Sequence, residues 1–298
     1  MAYASLLVVQ VLFGLFPVAT KQVYHSSSVA PLSILAVRVF GGALVLALVH
    51  PLLVRQHVPV RKELPRLAGL TLLGVVLNMG LFLIGLSQTD PVEAVLVLTT
   101  IPVFTYAIAV VLGREPLGPK RALGIALSML GVVYLVAHSL ATDRAHAVGD
   151  LLVAANALSF AAFLVLSKPL MSRMDPLAVT TWMFALGSVV ALPVAVAGGL
   201  VQQLRTVPRA DVLWLAFIVL GPTVLTYVLN ARALRHVPSS VVAAFTYIQP
   251  LVTAVAAAVI LDQWPDWRLA PAAVLVFFGL WLVARRRPAV LEGQTVSE

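Results

Sequence analysis

The sequence predicts an all-α integral membrane protein of ten transmembrane helices, built as two five-helix repeats of opposite topology. Three observations lead there: a composition that water does not accommodate, a series of charge-free stretches, and a pattern that recurs at fixed spacing. Of the 298 residues, 61% are apolar and 11% charged, with a mean hydropathy of +1.01. Soluble domains run at about 45–50% apolar and about 25% charged, so a soluble fold would have too few charges to cover this surface. A central Arg, Lys or Asp costs about 2.5–3.5 kcal/mol on insertion, and a span needs about 20 apolar residues. Charge-free stretches therefore mark the spans.

In order, those stretches are residues 2–20, 39–54, 67–89, 94–113, 122–142, 151–167, 176–204, 212–231, 236–261 and 269–284. The second is extended back to near Leu32 and carries Arg38 inside it. They are too long and too evenly apolar for strands and lack period-two alternation. Lipid admits only helices and closed barrels as spanning backbone, so ten helices follow. The first stretch has no basic leader and is interrupted at Phe16-Pro17, which reads as a span rather than a cleavable signal. Connections such as Thr89-Asp90-Pro91 are short and polar, leaving no room between spans for a soluble domain. The units are residues 1–145, 146–285 and a polar tail, 286–298.

Basic residues sort by membrane side. With the N-terminus inside, 14 Lys and Arg fall in cytoplasmic connections, among them Arg55, Lys62, Lys120, Lys168, Arg235 and Arg285 to Arg287. Only five (Lys21, Arg144, Arg205, Arg209, Arg268) fall outside. This bias predicts both termini in the cytoplasm and a bacterial inner membrane. It also accounts for the net charge of +8 without a nucleic-acid partner.

The halves correspond. Segment 95–105 aligns with 243–253 on Pro102 and Pro250, 148 residues apart, and Gly131 with Gly279 at the same spacing. Phe13 and Lys21 match Phe160 and Lys168 at 147. Five helices per copy is an odd number, so the second copy enters from the opposite side. Such inverted repeats place a substrate site near the midplane and work by alternating access.

The Pro-centred fourth and ninth spans, the Gly113-Arg114-Glu115 turn and the glycine-containing fifth and tenth spans resemble the EamA-type family of the drug/metabolite transporter superfamily. The resemblance covers about residues 3–285. It implies the inverted five-plus-five repeat and transport, often export, of amino acids or other small metabolites. Phe13 stands before Gly14 where the family often has Trp, and Asp262-Gln263 replaces the second copy's turn glutamate.

No enzymatic constellation emerges. The sequence has no phosphate-binding loop, no HExxH zinc motif and no cysteine, so no cofactor and no metal are expected. The six histidines (His25, His50, His57, His138, His146, His236) lie at span ends or in connections, Asp143 and His146 read as solvated loop residues, and no Asp falls deep within a span. A membrane-embedded enzyme acting on lipid has no visible machinery.

Polar residues inside spans default to the bundle interior or a wet cavity. Gln10, Gly14, Pro17 and Lys21 share one face of the first helix; Asn156, Ser159, Phe163 and Ser167 share one of the sixth. Asn78 and Phe82 in the third, and Thr223, Tyr227 and Asn230 in the eighth, extend the set. Thr99-Thr100-Ile101-Pro102 and Thr246-Tyr247-Ile248-Gln249-Pro250 combine polar groups with proline, which frees a carbonyl a turn earlier. The expected substrate-binding set is Gln10, Asn78, Thr99, Asn156, Ser159, Trp182, Tyr227, Thr246 and Gln249, with Pro102 and Pro250 as hinges. Tyr227 and Trp182 supply aromatic walls, whereas Trp264 and Trp267 read as interfacial belt residues. Arg38 either snorkels outward or attracts a carboxylate or phosphate entering from outside. Glu93 is either a first-turn residue favoured by the helix dipole, a proton-titrating coupling group, or the partner of Arg38. Glu115 reads as a cytoplasmic turn residue.

The resulting expectation is an exporter of small polar metabolites, amino acids foremost, whose movement is facilitated or weakly driven by protons, since no carboxylate lies deep within a span. The alternative is exchange of anions such as sugar phosphates or nucleotide sugars, which calls for several Lys or Arg converging in the cavity.

Overall fold

The structure, a computed structural model, describes residues 2–54, 60–116 and 118–284. Arg55, His57, Leu117, Arg285 to Arg287 and the tail 286–298 lie outside the described residues. All regular structure among the described residues is helical. Among the described residues, nine stretches are long and apolar enough to cross a membrane, and a tenth apolar helix, Trp267–Val283, is shorter. Leu44, Leu48, Leu213 and Val259 are exposed on the outer surface, where hydrocarbon rather than water would cover them.

In chain order the helices are α1 (Ala2–Ser26), α2 (Pro31–Leu53), α3 (Val60–Thr71), α4 (Asn78–Gln88), α5 (Pro91–Leu98), α6 (Ile101–Val111), α7 (Pro119–Thr142) and α8 (Arg144–Arg173). Then come α9 (Pro176–Ala197), α10 (Leu200–Arg205), α11 (Arg209–Val219), α12 (Thr226–His236), α13 (Ser239–Ala244), α14 (Gln249–Ile260) and α15 (Ala270–Ala284). Proline opens α2, α5, α7 and α9, where its missing N–H has no partner to lose. Asp143 and Asp175 cap α8 and α9 by accepting from backbone N–H groups two or three residues on.

Several boundaries differ from those read in the sequence. The sixth span was expected to begin after Asp150; α8 begins at Arg144 and takes Asp150 into its second turn, fully buried. Asp211, in the first turn of α11, is also buried and accepts from Ser26 Oγ at 2.7 Å. Both carboxylates find partners that the sequence does not reveal. The seventh stretch, 176–204, breaks at Gly199, whose φ of 65° is left-handed and suits glycine.

Internal breaks recur at a constant spacing. α3 passes into α4 through a π-helical segment, Leu72–Leu77, and α11 into α12 through another, Leu220–Leu225, 148 residues later. α5 and α13, and α6 and α14, start at the same separation. Pro102 and Pro250 do not kink continuous helices: each sits in the first turn of a new one, after a turn at Thr99 and Thr100 or a 3₁₀ segment, Phe245–Ile248. α7 packs along α15 and α2 along α9, while α1, α4, α6, α8, α12 and α14 enclose the centre. In the first pair a Cβ on Gly279 would lie 2.4 Å from the Gly124 carbonyl oxygen, and one on Gly131 would lie 3.0 Å from that of Ala272. Only backbone fits at such contacts.

Candidate functional site

A cavity of about 490 Å³, counting the space at its mouth, lies between the central helices. Phe13, Phe16 (α1), Arg38 (α2), Asn78, Met79, Phe82 (α4), Leu98, Ile101, Asn156, Phe160 (α8), Tyr227 (α12) and Gln249 (α14) line it. Mostly apolar walls with a few convergent polar groups are the usual make-up of a small-molecule site. Phe13 and Phe160, the matched pair of the two halves, meet edge to face with centroids 6.4 Å apart.

The polar groups are held in place by neighbours. Asn156 Nδ2 donates to the Asn78 carbonyl at 2.5 Å, across from α8 to the start of α4. Tyr227 Oη donates to the Gly74 carbonyl in the first π segment and to Asn78 Oδ1 at 3.3 Å, with its ring edge-on to Phe184. Gln249 Nε2 donates to Gln10 Oε1 at 2.5 Å; Gln249 Oε1 is buried and has no hydrogen-bond partner. Gln10 is thus a brace behind Gln249 rather than part of the lining.

Arg38 does not snorkel. It is 3% exposed, its Nε donates to Thr223 Oγ1 at 2.9 Å, and its guanidinium lies 4.1 Å from the centroid of the Phe16 ring. Thr223, at the middle of the second π segment, in turn donates to the Ile218 carbonyl. The wider π turn presents this hydroxyl to α2.

Four other expected site residues lie elsewhere. Trp182 is 37% exposed: on α9 it shares the outer face with Val189, while Thr180, Met183, Phe184 and Gly187 turn inward. The helical period of α9, not the depth of the residue in the sequence, decides this. Thr99 and Thr246 donate to carbonyls three residues back, Leu96 and Ala243, and Ser159 donates to the Leu73 carbonyl in the π segment. Their hydroxyls satisfy backbone left open by helix breaks, and none lines the cavity.

Sequence reading missed a second polar cluster. Asp150 accepts from Thr89 Oγ1 and Ser139 Oγ, both at 2.7 Å, joining α4, α7 and α8. Beside it His146 Nε2 lies 3.3 Å from Glu93 Oε2 and 3.6 Å from Asp90 Oδ2. Asp90, Glu93 and His146 thus bring three metal-capable atoms within 4.8 Å of one another, where no such trio was expected. His146 turns toward these carboxylates rather than to Asp143, which is occupied as a cap. The only signal in the sequence was the Thr89-Asp90-Pro91 turn, and nothing there names its partners on α8.

At the other end of α8, Lys168 Nζ donates to the carbonyls of Leu234 (2.7 Å) and Val237 (2.9 Å) at the C-terminus of α12. Cations suit helix C-termini, where carbonyls are left unpaired. Arg114 reaches the Val165 carbonyl at 2.9 Å, and Glu115 lies 3.5 Å from Arg121 in its turn.

Comparison with known proteins identifies the architecture. The model of the EamA-like transporter family matches residues 1–137 and again 147–285. The chain belongs to the EamA-like transporter family. Relatives in the family include an uncharacterized transporter of Archaeoglobus fulgidus, 27% identical over 77% of this chain and 79% of the relative. Another is a protein of Salmonella typhimurium named "Probable amino-acid metabolite efflux pump", 28% identical over 63% of this chain and 66% of the relative. Its Escherichia coli namesake is 26% identical over the same shares. A solved crystal structure shares the fold, with a TM-score of 0.63 and 19% identity over 95% of this chain and 96% of the other. This EamA chain is a membrane transporter, not an enzyme.

Proposed function

We propose that this chain is a secondary exporter of small polar metabolites, amino acids or related compounds, acting by alternating access around the central cavity. The observation that carries the reading is the lining itself. Amide, phenol and guanidinium groups, each fixed by a neighbour, are gathered among four phenylalanines at the centre of an otherwise apolar bundle. Polar groups in hydrocarbon are costly, and their convergence on one cavity is what a polar cargo requires. The two relatives named amino-acid metabolite efflux pumps support both class and direction. Exchange of sugar phosphates or nucleotide sugars finds less support, because among the described residues Arg38 alone brings a cation to the lining.

For the mechanism, we infer two inverted five-helix repeats, residues 1–145 and 146–285, within ten spans. The recurrence of π segments and helix starts at 148 residues supports this, as do the double family match and the reciprocal glycine contacts of α7 and α15. Rocking one repeat on the other would open the cavity alternately to each side. Pro102 and Pro250, each opening a new helix after a break, are the flexion points. Basic-residue bias supports cytoplasmic termini and an inner-membrane location. Glu93, beside Asp150 and His146 at the opposite end of α8 from Lys168, is the candidate for coupling to protons.

Reconstituted protein tests the site. With Asn156→Leu and Gln249→Leu combined, amino-acid flux in liposomes should be lost while the protein remains monodisperse and thermally stable. Unchanged flux would reject the cavity as the substrate site.

A further inference from the structure

We propose that the cavity is built for a single carboxylate, held by Arg38, so that its substrates are monocarboxylates or zwitterions with an apolar body and cations are rejected. The inference rests on the transporter reading above and names the chemistry of its cargo.

The charge at Arg38 is uncompensated. Among the described residues no acidic group makes an ion pair with it, and the cavity lining contains no Asp or Glu. Guanidinium carries five N–H donors in a planar fork. Only the Nε–H is used, on Thr223, and that hydroxyl is itself committed to the Ile218 carbonyl. The two terminal nitrogens have no hydrogen-bond partner among the described residues, yet Arg38 lines the cavity. The Phe16 ring lies against the guanidinium, its centroid 4.1 Å from Cζ, and with the Thr223 hydrogen bond holds the group in place. An oriented, buried fork with free parallel donors matches a carboxylate in bidentate geometry.

Stoichiometry narrows the class. A phosphate monoester dianion would leave one charge unmatched, because neither Lys21 nor Lys168 joins the lining. Lys168 is held by two carbonyls, and Lys21 does not line the cavity. A substrate ammonium would find no carboxylate, but it would find the unpartnered, buried Gln249 Oε1. The apolar body would lie among Phe13, Phe82, Phe160 and Leu98.

The test uses three probes on purified, detergent-solubilised protein and in liposomes: L-phenylalanine, 3-phenylpropanoate, which lacks the ammonium, and phenylalaninamide, which lacks the carboxylate. Wild type should be thermally stabilised by the first two and not by the third. Arg38→Gln should weaken both carboxylates by at least about tenfold, the scale of a lost hydrogen bond to a charged group. Arg38→Lys keeps the charge without the fork and should fall between. Should Arg38→Gln fail to fold, Asn156→Asp decides: a carboxylate supplied within the cavity should expel both acids and admit phenylalaninamide. Phenylalaninamide binding wild type as well as phenylalanine does, or carboxylate affinity surviving Arg38→Gln or Asn156→Asp, would overturn the proposal. Liposomes that move a cation such as agmatine but no carboxylate would overturn it while leaving the transporter reading intact. Flux of no solute in any charge class would remove both.

Discussion

The π segments at Leu72–Leu77 and Leu220–Leu225 occupy corresponding places in the two halves, but different residues produce them. In the first half, Gly74 makes room: a Cβ there would lie 2.5 Å from the Phe163 ring. In the second, Pro222 occupies the same place and withholds a backbone donor, which breaks regular helical bonding directly. The shape is kept and the cause is not. Polar groups diverge further. Counting 148 residues on, Arg38 corresponds to Leu186, Asn78 to Thr226, and Gln249 looks back to Ile101. Packing constrains volume and backbone approach, and several residues satisfy those demands. A binding site for one oriented solute needs each charge only once. The halves therefore agree where helices touch and differ where a solute would.

That contrast is open to experiment, beginning with the shared scaffold. Gly279→Val would drive a side chain into the Gly124 carbonyl and should cost more than the about 1–3 kcal/mol usual for overpacking. Little monodisperse protein should survive extraction. Gly131→Val, at the corresponding but looser contact, should lower the melting temperature by less. Equal tolerance of both would show that α7 and α15 separate readily and that their reciprocal packing is not a pivot.

The next largest effect concerns a residue pair identical in type but unequal in contacts. Lys168 clamps the end of α12 with two hydrogen bonds, whereas Lys21, its counterpart, makes no hydrogen bond among the described residues and feels only the charge of Asp90. Lys168→Met should destabilise by about 1–2 kcal/mol in denaturant or thermal unfolding. Lys21→Met should stay within about 0.5 kcal/mol, because Asp90, the charge it faces, is half exposed and screened by solvent. Identical losses from the two variants would erase the asymmetry between the two ends.

The smallest change in stability is expected at the cluster that has no second-half copy. Glu93 and Asp90 correspond to Val241 and Pro238. The contacts of His146 with Asp90 and Glu93 lie at a partly solvated helix end and should contribute no more than about 1 kcal/mol, so Glu93→Gln should lower the melting temperature only slightly. Its effect should appear in flux instead. Wild-type export should accelerate under an imposed proton gradient, and the variant should exchange substrate at the same rate with or without it. A gradient response that survives in Glu93→Gln would remove Glu93 from the coupling step.

Much of the site was legible in part. Asn78, Asn156, Tyr227 and Gln249 stood out because a polar group in a long apolar run has few inexpensive places to go, and all four reach the cavity. Trp182 was misjudged because depth along a span says nothing about azimuth: α9 is apolar on every side, so no stripe in the sequence marks its inner face. Thr99, Thr246 and Ser159 were drawn away by backbone carbonyls opened at helix breaks, which their short side chains reach first.

Composition and the length of the charge-free runs by themselves determined a helical membrane protein, because lipid leaves the backbone no other open-chain solution. Pro102 and Pro250 marked where the fourth and ninth spans are disturbed, though as kinks in continuous helices rather than as the breaks that the structure shows. The contacts between distant segments were left to the tertiary structure. It joined Asp150 to Thr89 and Ser139, set Lys168 against α12, and buried Arg38 between Phe16 and Thr223 at the cavity wall. Such pairings depend on which helix faces lie together, and in a uniformly apolar solvent the hydrophobic pattern that would announce those faces is missing.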